Sequence, residues 1–139
     1  MPAPHKLYIA DMEKDYNKIP QEVVHIADVQ KTYAQVIGAV LVLVGLLGFF
    51  NNPILGIFGV NTLHNIVHLA SGAVALFAAS KGAAKMFNKW FGVVYLLVAV
   101  LGFLGVLGFL GTNSADNWLH VLLGVVSLGV ALGVKEGGA

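Results

Sequence analysis

The stretch TYAQVIGAVLVLVGLLGFF, residues 32–50, decides the fold of this 139-residue chain. It contains no charged side chain, and as an α-helix it would span about 30 Å, the thickness of the hydrocarbon core of a bilayer. Helices on the surface of a soluble protein keep one polar face, which this stretch lacks. It therefore predicts a membrane-spanning helix.

Three further stretches of about 20 residues repeat this pattern. They cover Asn61–Ala79, Trp90–Leu110 and Ala115–Val134, and of the charged residues only Asp116 falls inside any of the four. The chain is 58% apolar and 11% charged, a composition that excludes a soluble domain. It has no cysteine, which excludes disulfide, thiolate and iron–sulfur chemistry. A net charge of +1 without arginine gives no surface for nucleic acid.

The connections between these stretches are short, which predicts an all-α bundle of four transmembrane helices with antiparallel sequential neighbours, surrounded by membrane lipid. Lys81, Lys85 and Lys89 lie in the second connection without any acid, so we expect that connection and both termini in the cytoplasm. The predicted organisation is an N-terminal arm over residues 1–31, the four-helix domain over 32–134 and a short tail over 135–139.

The N-terminal arm contains one amphipathic pattern. Pro20 can open a helix, and apolar and polar residues alternate after it as far as Gln30. The pattern predicts a short helix lying at the cytoplasmic interface before the first span turns inward. We expect no cleavable signal peptide, because the segment before Lys31 contains no apolar core of that kind.

The second and fourth stretches contain an internal repeat. The segment NIVHLASG (65–72) aligns without gaps with NWLHVLLG (117–124), and both read N-x-x-H-x-x-x-G. At 100° per residue these positions, and Ala75 and Ser127 after them, fall on one narrow side of each helix. Small residues let helices approach closely in lipid, so the stripe is expected to face the bundle. The chain is thus predicted to be two duplicated helical hairpins.

The stripe provides the candidate binding residues. They are Asn65, His68, Gly72, Asn117, His120 and Gly124. His64 lies one turn before His68 and is expected beside the binding residues or at the surface. In a structural interpretation, the Asn and His side chains hydrogen-bond to neighbouring helices or loop carbonyls and fix helix register. In a cofactor interpretation, His68 and His120 are axial ligands of one heme or of chlorophyll-type pigments, in electron transfer or light harvesting.

Other chemistry is not favoured by the sequence. Zinc would need a third ligand beside the His64–His68 pair, and the counterpart of His64 in the repeat is Asp116. We predict no enzyme, because we identify no membrane-embedded acid, no paired carboxylates and no nucleophile with a suitable base.

Glycines recur at every third position in the third stretch, at positions 102, 105, 108 and 111, and the fourth contains Gly129-x-x-x-Gly133. Such spacing predicts close packing, and the third-stretch set is the expected interface of a homo-oligomer or a larger membrane complex. The chain would then be a structural or accessory subunit. Four aromatic residues are expected to be interfacial anchors: Tyr33, Trp90, Tyr95 and Trp118.

The motif GVNTLHNIVHLASG (59–72), followed by DNWLHVLLG (116–124), resembles a family of small bacterial membrane proteins with a four-helix domain of unknown function. The resemblance covers residues 32–134. It implies four transmembrane helices in a bacterial inner membrane and supplies no activity.

Overall fold

The computed structural model describes Met1 and residues 4–134, which form five α-helices. The helices are α1 (Pro4–Lys18), α2 (Gln21–Leu47), α3 (Thr62–Ser80), α4 (Ala84–Phe103) and α5 (Ser114–Gly133), with a 3-10 turn over Gly108–Leu110. The predicted tail over residues 135–139 lies outside the described residues.

Four of these helices are long and apolar enough to cross a membrane: α3, α4, α5 and the Val29–Leu47 part of α2. At most 39% of each span is buried inside the protein. Large side chains such as Phe77 and Leu132 point outward, each 64% exposed. An apolar outer surface of this extent belongs in lipid. The predicted four-helix integral membrane protein is therefore confirmed.

Helices α2 and α3 form one antiparallel hairpin, and α4 and α5 form another. In the first, a Cβ added to Gly38 would lie 3.1 Å from the carbonyl oxygen of Gly72. In the second, a Cβ added to Gly92 would lie 3.0 Å from the carbonyl oxygen of Gly124. Backbone contact is possible there only because these residues lack side chains. Both hairpins therefore contain the same glycine pair at equivalent places, as a duplication requires.

At one end of the bundle, two asparagines connect the hairpins reciprocally. Asn61 and Asn113 cap α3 and α5, each accepting a hydrogen bond of 3.0 Å from a backbone N–H in the first turn. The Nδ2 of Asn61 donates to the carbonyl of Phe109 at 2.6 Å, and that of Asn113 donates to the carbonyl of Ile57 at 2.8 Å. Each cap thus holds the loop of the other hairpin. We call this end of the bundle, where α3 and α5 begin, the histidine end.

The opposite end contains the Lys81–Ala83 connection, and we call it the lysine end. Its interior is held by polar side chains from three helices. The Nδ2 of Asn88 donates to Oε1 of Gln30 at 2.8 Å, and the hydroxyls of Tyr33 and Ser127 share a hydrogen bond of 2.6 Å. Buried polar groups must pair in this way inside lipid, and the pairing fixes the register of the two hairpins.

The N-terminal arm differs from prediction. The separate interfacial helix expected after Pro20 is wrong, because that segment is continuous with the first span in α2. No glycine or proline follows Pro20 until well inside the span, so nothing interrupts the helix. The separate helix is instead α1, on which Tyr8, Met12 and Tyr16 are exposed.

The third span also differs from prediction. Helix α4 begins at Ala84 and ends at Phe103, earlier at both ends than the predicted Trp90–Leu110. It ends because Gly105 has a φ of +74°, a left-handed conformation that stops a helix. Gly105, Gly108 and Gly111 therefore lie in the connection to α5, so the predicted glycine face along the third helix is wrong, and an interface with another subunit stays a prediction.

Candidate metal centre

Four ionisable side chains meet inside the histidine end. His64 and His68 come from successive turns of α3, and Asp116 and His120 come from successive turns of α5. Each is at most 6% exposed. Charged or polar side chains at such depth in a membrane protein are costly unless they bind one another or a ligand. We call these four residues the histidine cluster.

The three imidazoles lie close enough to share one ion. Their ligand nitrogens all lie within 4.8 Å of one another. The ring centroids are 4.3 Å apart for His64 and His68 and 5.8 Å apart for His64 and His120. The Asp116 carboxylate lies between two of the rings, 4.0 Å from Nε2 of His64 and 3.7 Å from Nε2 of His120.

Several atoms of the histidine cluster have no hydrogen-bond partner among the described residues. They are the Nδ1 atoms of the three histidines and Oδ2 of Asp116. Nearly all buried polar atoms in proteins are hydrogen-bonded, because leaving one unpaired forfeits its solvation. Orphaned donors and acceptors on four converging side chains are the pattern expected where a ligand completes the bonding.

Asn65 and Asn117 lie one turn before His68 and His120 and contact the opposite helix of their own hairpin. A Cβ added to Gly48 or Gly102 would lie only 2.6 Å from the Cγ of the facing asparagine. Both asparagines are buried, as the stripe predicts. Their contacts serve helix packing in both hairpins.

Gly72 and Gly124 occupy the next turns and also pack against the facing helices. A Cβ at Gly72 would lie 2.8 Å from Cγ2 of Val42, and one at Gly124 would lie 2.7 Å from Cγ of Leu96. The predicted stripe does face the bundle interior, but its small residues bring helices together and leave no space for a cofactor ring beside them.

Sequence reasoning missed two members of the histidine cluster. His64 was expected only as a surrounding group, and the expectation of no embedded acid is wrong because Asp116 is 2% exposed within a span. The objection that zinc lacks a third ligand also fails, since α5 brings His120 to the α3 pair. The alignment that defines the repeat pairs His64 with Asp116, two ligand types at equivalent positions.

The aromatic residues divide into two groups. Trp90 and Trp118 are exposed, at 58% and 64%, as anchors should be. Tyr95 is 6% exposed, and its ring meets that of His120 edge-on at 5.2 Å and 89°, so its prediction as an anchor is wrong. It lies near the middle of α4, a position visible once the helix begins at Ala84.

A tetrapyrrole fits this site poorly. The cavity beside the histidine cluster has a volume of about 140 Å³, whereas pockets for drug-sized ligands measure about 300–1,000 Å³. Heme or chlorophyll ligation by His68 and His120 stays a prediction from the sequence, and the geometry favours a single ion instead.

The fold and the histidine cluster define a four-helix integral membrane protein with three histidines and an aspartate buried at one end. The family described as "Domain of unknown function (DUF4383)" matches residues 31–133, so the chain belongs to this family. The predicted resemblance to a family of unknown function is thereby confirmed. No curated protein and no solved structure matches the chain.

Proposed function

We propose that this protein binds one divalent transition-metal ion in the histidine cluster. The observation that carries the proposal is the convergence of the ligand nitrogens of His64, His68 and His120 within 4.8 Å, with Asp116 beside them. A metal–nitrogen distance of about 2.0–2.1 Å separates tetrahedral ligand atoms by about 3.3 Å. The ligand nitrogens would have to move closer by up to about 1.5 Å to close around an ion.

The donor set determines the class of ion. Imidazole suits zinc, copper, iron and nickel, whereas calcium and magnesium prefer oxygen ligands. The single Asp116 carboxylate offsets part of the charge of a divalent ion inside the apolar bundle, which three neutral imidazoles alone would not do. We propose ion binding and assign no catalytic turnover to the site.

The orientation expected from the lysines determines which side supplies the ion. With the lysine end in the cytoplasm of a bacterial inner membrane, the histidine end faces outward. Zn²⁺ added to sealed membrane vesicles is then expected to load the site only where the histidine end faces the added ion.

Zinc titration of the purified protein tests the proposal. We expect the full chain in mild detergent to bind one Zn²⁺ per protomer, measured by elemental analysis after gel filtration and by competition with a chromophoric chelator. His68→Ala should abolish stoichiometric binding, because only two of the three strong ligands remain. His5→Ala, which removes an exposed histidine of α1, is the matched control and should bind normally. Equal retention of zinc by both variants would refute the proposal.

A role as an accessory subunit is supported by a different surface. Gly129 and Gly133 lie on the outer side of α5, and among the described residues no atom outside their own helix backbone lies within 4 Å of a Cβ added at either position. Such a small-residue face suits another transmembrane helix. We expect native mass spectrometry from mild detergent to find an oligomer or a complex that Gly129→Leu disrupts. A wild-type protein that is monomeric and alone would contradict this role.

A further inference from the structure

A cavity of about 140 Å³ adjoins the histidine cluster on one side of the bundle. It lies between α2 and α5 and is covered by the loop that contains Ile54. His68, Asp116 and His120 belong to its lining, but nearly all of the lining surface is apolar, including that of Leu41 and Ile54. Three of the four cluster members therefore face a space that is otherwise apolar.

Among the described residues, the space that reaches the histidine cluster lies beside α2, whereas the equivalent groove between α3 and α4, of about 450 Å³, is lined by Phe91 and Tyr95 and by no member of the cluster. The contact of Gly48 with Asn65 in the first hairpin recurs as that of Gly102 with Asn117 in the second. Two turns before these glycines, Leu41 of α2 corresponds to Tyr95 of α4. The ring of Tyr95 packs edge-on against His120, whereas Leu41 is too short to reach as far beside His68. The cavity thus borders a leucine in α2, at the position where α4 has a tyrosine that contacts the histidine cluster.

We propose that the cavity binds a small, uncharged, lipid-soluble molecule of diatomic size, of the chemical class of dioxygen, as an additional ligand of the ion. This inference rests on the proposed function. Cavities of about 150 Å³ with apolar walls stay dry and accept xenon or benzene, so the mostly apolar lining disfavours a charged or strongly hydrated ligand. Sets of histidines and one carboxylate that leave coordination positions open are typical of non-heme iron sites that bind dioxygen. Binding would be reversible coordination to a redox-active ion such as Fe²⁺, which shares electron density with the ligand; one bond forms and no group is transferred.

The surrounding membrane favours this occupant over water-soluble ligands. Small apolar molecules partition into lipid, and the cavity lies within the membrane-spanning part of the bundle, beside spans that are mostly lipid-facing. The side chains of the histidine cluster are at most 6% exposed, so a water-soluble ligand would need a channel to reach them. A ligand that arrives through the lipid needs none.

The variant Leu41→Tyr tests the inference by giving the first hairpin the residue of the second. Leu43→Tyr, on the lipid-facing side of the same helix, is the matched control, since Leu43 is 57% exposed. The full chain is loaded with Fe²⁺ in mild detergent and exposed to nitric oxide, a diatomic probe whose complex with non-heme iron has a characteristic electron paramagnetic resonance signal. Wild type and Leu43→Tyr should give the signal. Leu41→Tyr should bind iron with unchanged stoichiometry and lose the signal.

Xenon provides a readout that does not depend on the ion. In the metal-free protein, xenon should shift the methyl resonance of Ile37, which lines the cavity, more than that of lipid-facing Ile66. Leu41→Tyr should remove the difference. Ile37→Phe, which copies Phe91 of the second hairpin, is a second filling variant if Leu41→Tyr does not fold.

The possible failures are distinguishable. Stoichiometric iron without a nitric oxide signal overturns the inference and leaves the proposed function intact. A nitric oxide signal in Leu41→Tyr or Ile37→Phe that equals that of wild type overturns the inference. An acyl chain that occupies the cavity and is not displaced by xenon also overturns it. Wild-type protein that binds no metal overturns the proposed function together with the inference.

Discussion

Gly102→Ala is expected to destabilise the protein by about 1–3 kcal/mol, the usual cost of overpacking a well-packed interior. The added methyl would lie 2.6 Å from the Cγ of Asn117, a side chain that is 5% exposed and confined by α4. Gly48→Ala should behave alike, because its methyl would meet Asn65 at the same separation. The free energy of unfolding is measured in mixed micelles by titration with dodecyl sulfate.

The matched control for these variants is Gly129→Ala, measured in micelles in which the protein is monomeric, so that the outer face of α5 contacts no other helix. This residue is helical, and the part of the chain that the structure describes places no atom outside the helix's own backbone within 4 Å of the added Cβ. Alanine costs less conformational entropy than glycine, so we expect no loss and a gain of up to about 1 kcal/mol. If Gly102→Ala and Gly129→Ala unfold at the same dodecyl sulfate fraction, the close packing of Asn117 against α4 is wrong.

Asp116→Asn is expected to weaken zinc binding by about 10–100-fold, the range found when a carboxylate partner of a metal site is removed. The amide keeps the size of the side chain and removes its negative charge, which lies 3.7 Å from His120 and 4.0 Å from His64. The free energy of unfolding of the metal-free protein should not fall in the same way. Without metal, the variant should be at least as stable as wild type, because it buries no unpaired carboxylate.

Two measurements check this pair of expectations. Zinc affinity is obtained by chelator competition, and stability by dodecyl sulfate titration in the presence of excess chelator. Asp11→Asn, on the exposed helix α1, controls for the loss of one negative charge from the whole chain. If the zinc affinity of Asp116→Asn equals that of wild type, the assignment of Asp116 to the metal site is wrong and only the three imidazoles remain assigned to it.

Much of the architecture could be predicted from the sequence because it depends on local patterns. Apolar runs of bilayer length predict four spans, and the repeated asparagine, histidine and small residues predict the faces that α3 and α5 bury. Burial of His68 and His120 confirms those faces. The cap formed by Asn113 follows from the same local reasoning.

The composition of the histidine cluster could not be predicted in this way. It depends on how the two hairpins dock, which brings His64 and Asp116 within 4.0 Å although they are far apart in sequence. Helical periodicity ranks residues by angle on one helix and contains nothing about the facing helix. His64 lies off the stripe on α3, yet the docking places it inside.

The end of α4 shows a different limit. Glycine at every third position predicts a packing face if the helix continues, and a helix stop if one glycine adopts a positive φ. The sequence is the same in both cases. Gly105 adopts the positive φ and ends the helix. At its other end, α4 begins at Ala84 and includes Asn88, whose side chain donates a buried hydrogen bond to Gln30.

The most direct test of the metal centre is X-ray absorption spectroscopy at the zinc edge of the loaded, detergent-purified protein. We expect a first shell of nitrogen and oxygen at about 2.0–2.1 Å, with the outer-shell scattering of three imidazoles. In Asp116→Asn the three imidazoles should remain. A shell with fewer than two imidazoles, or one made of water and detergent oxygen alone, would contradict the assignment of His64, His68 and His120 as a metal site.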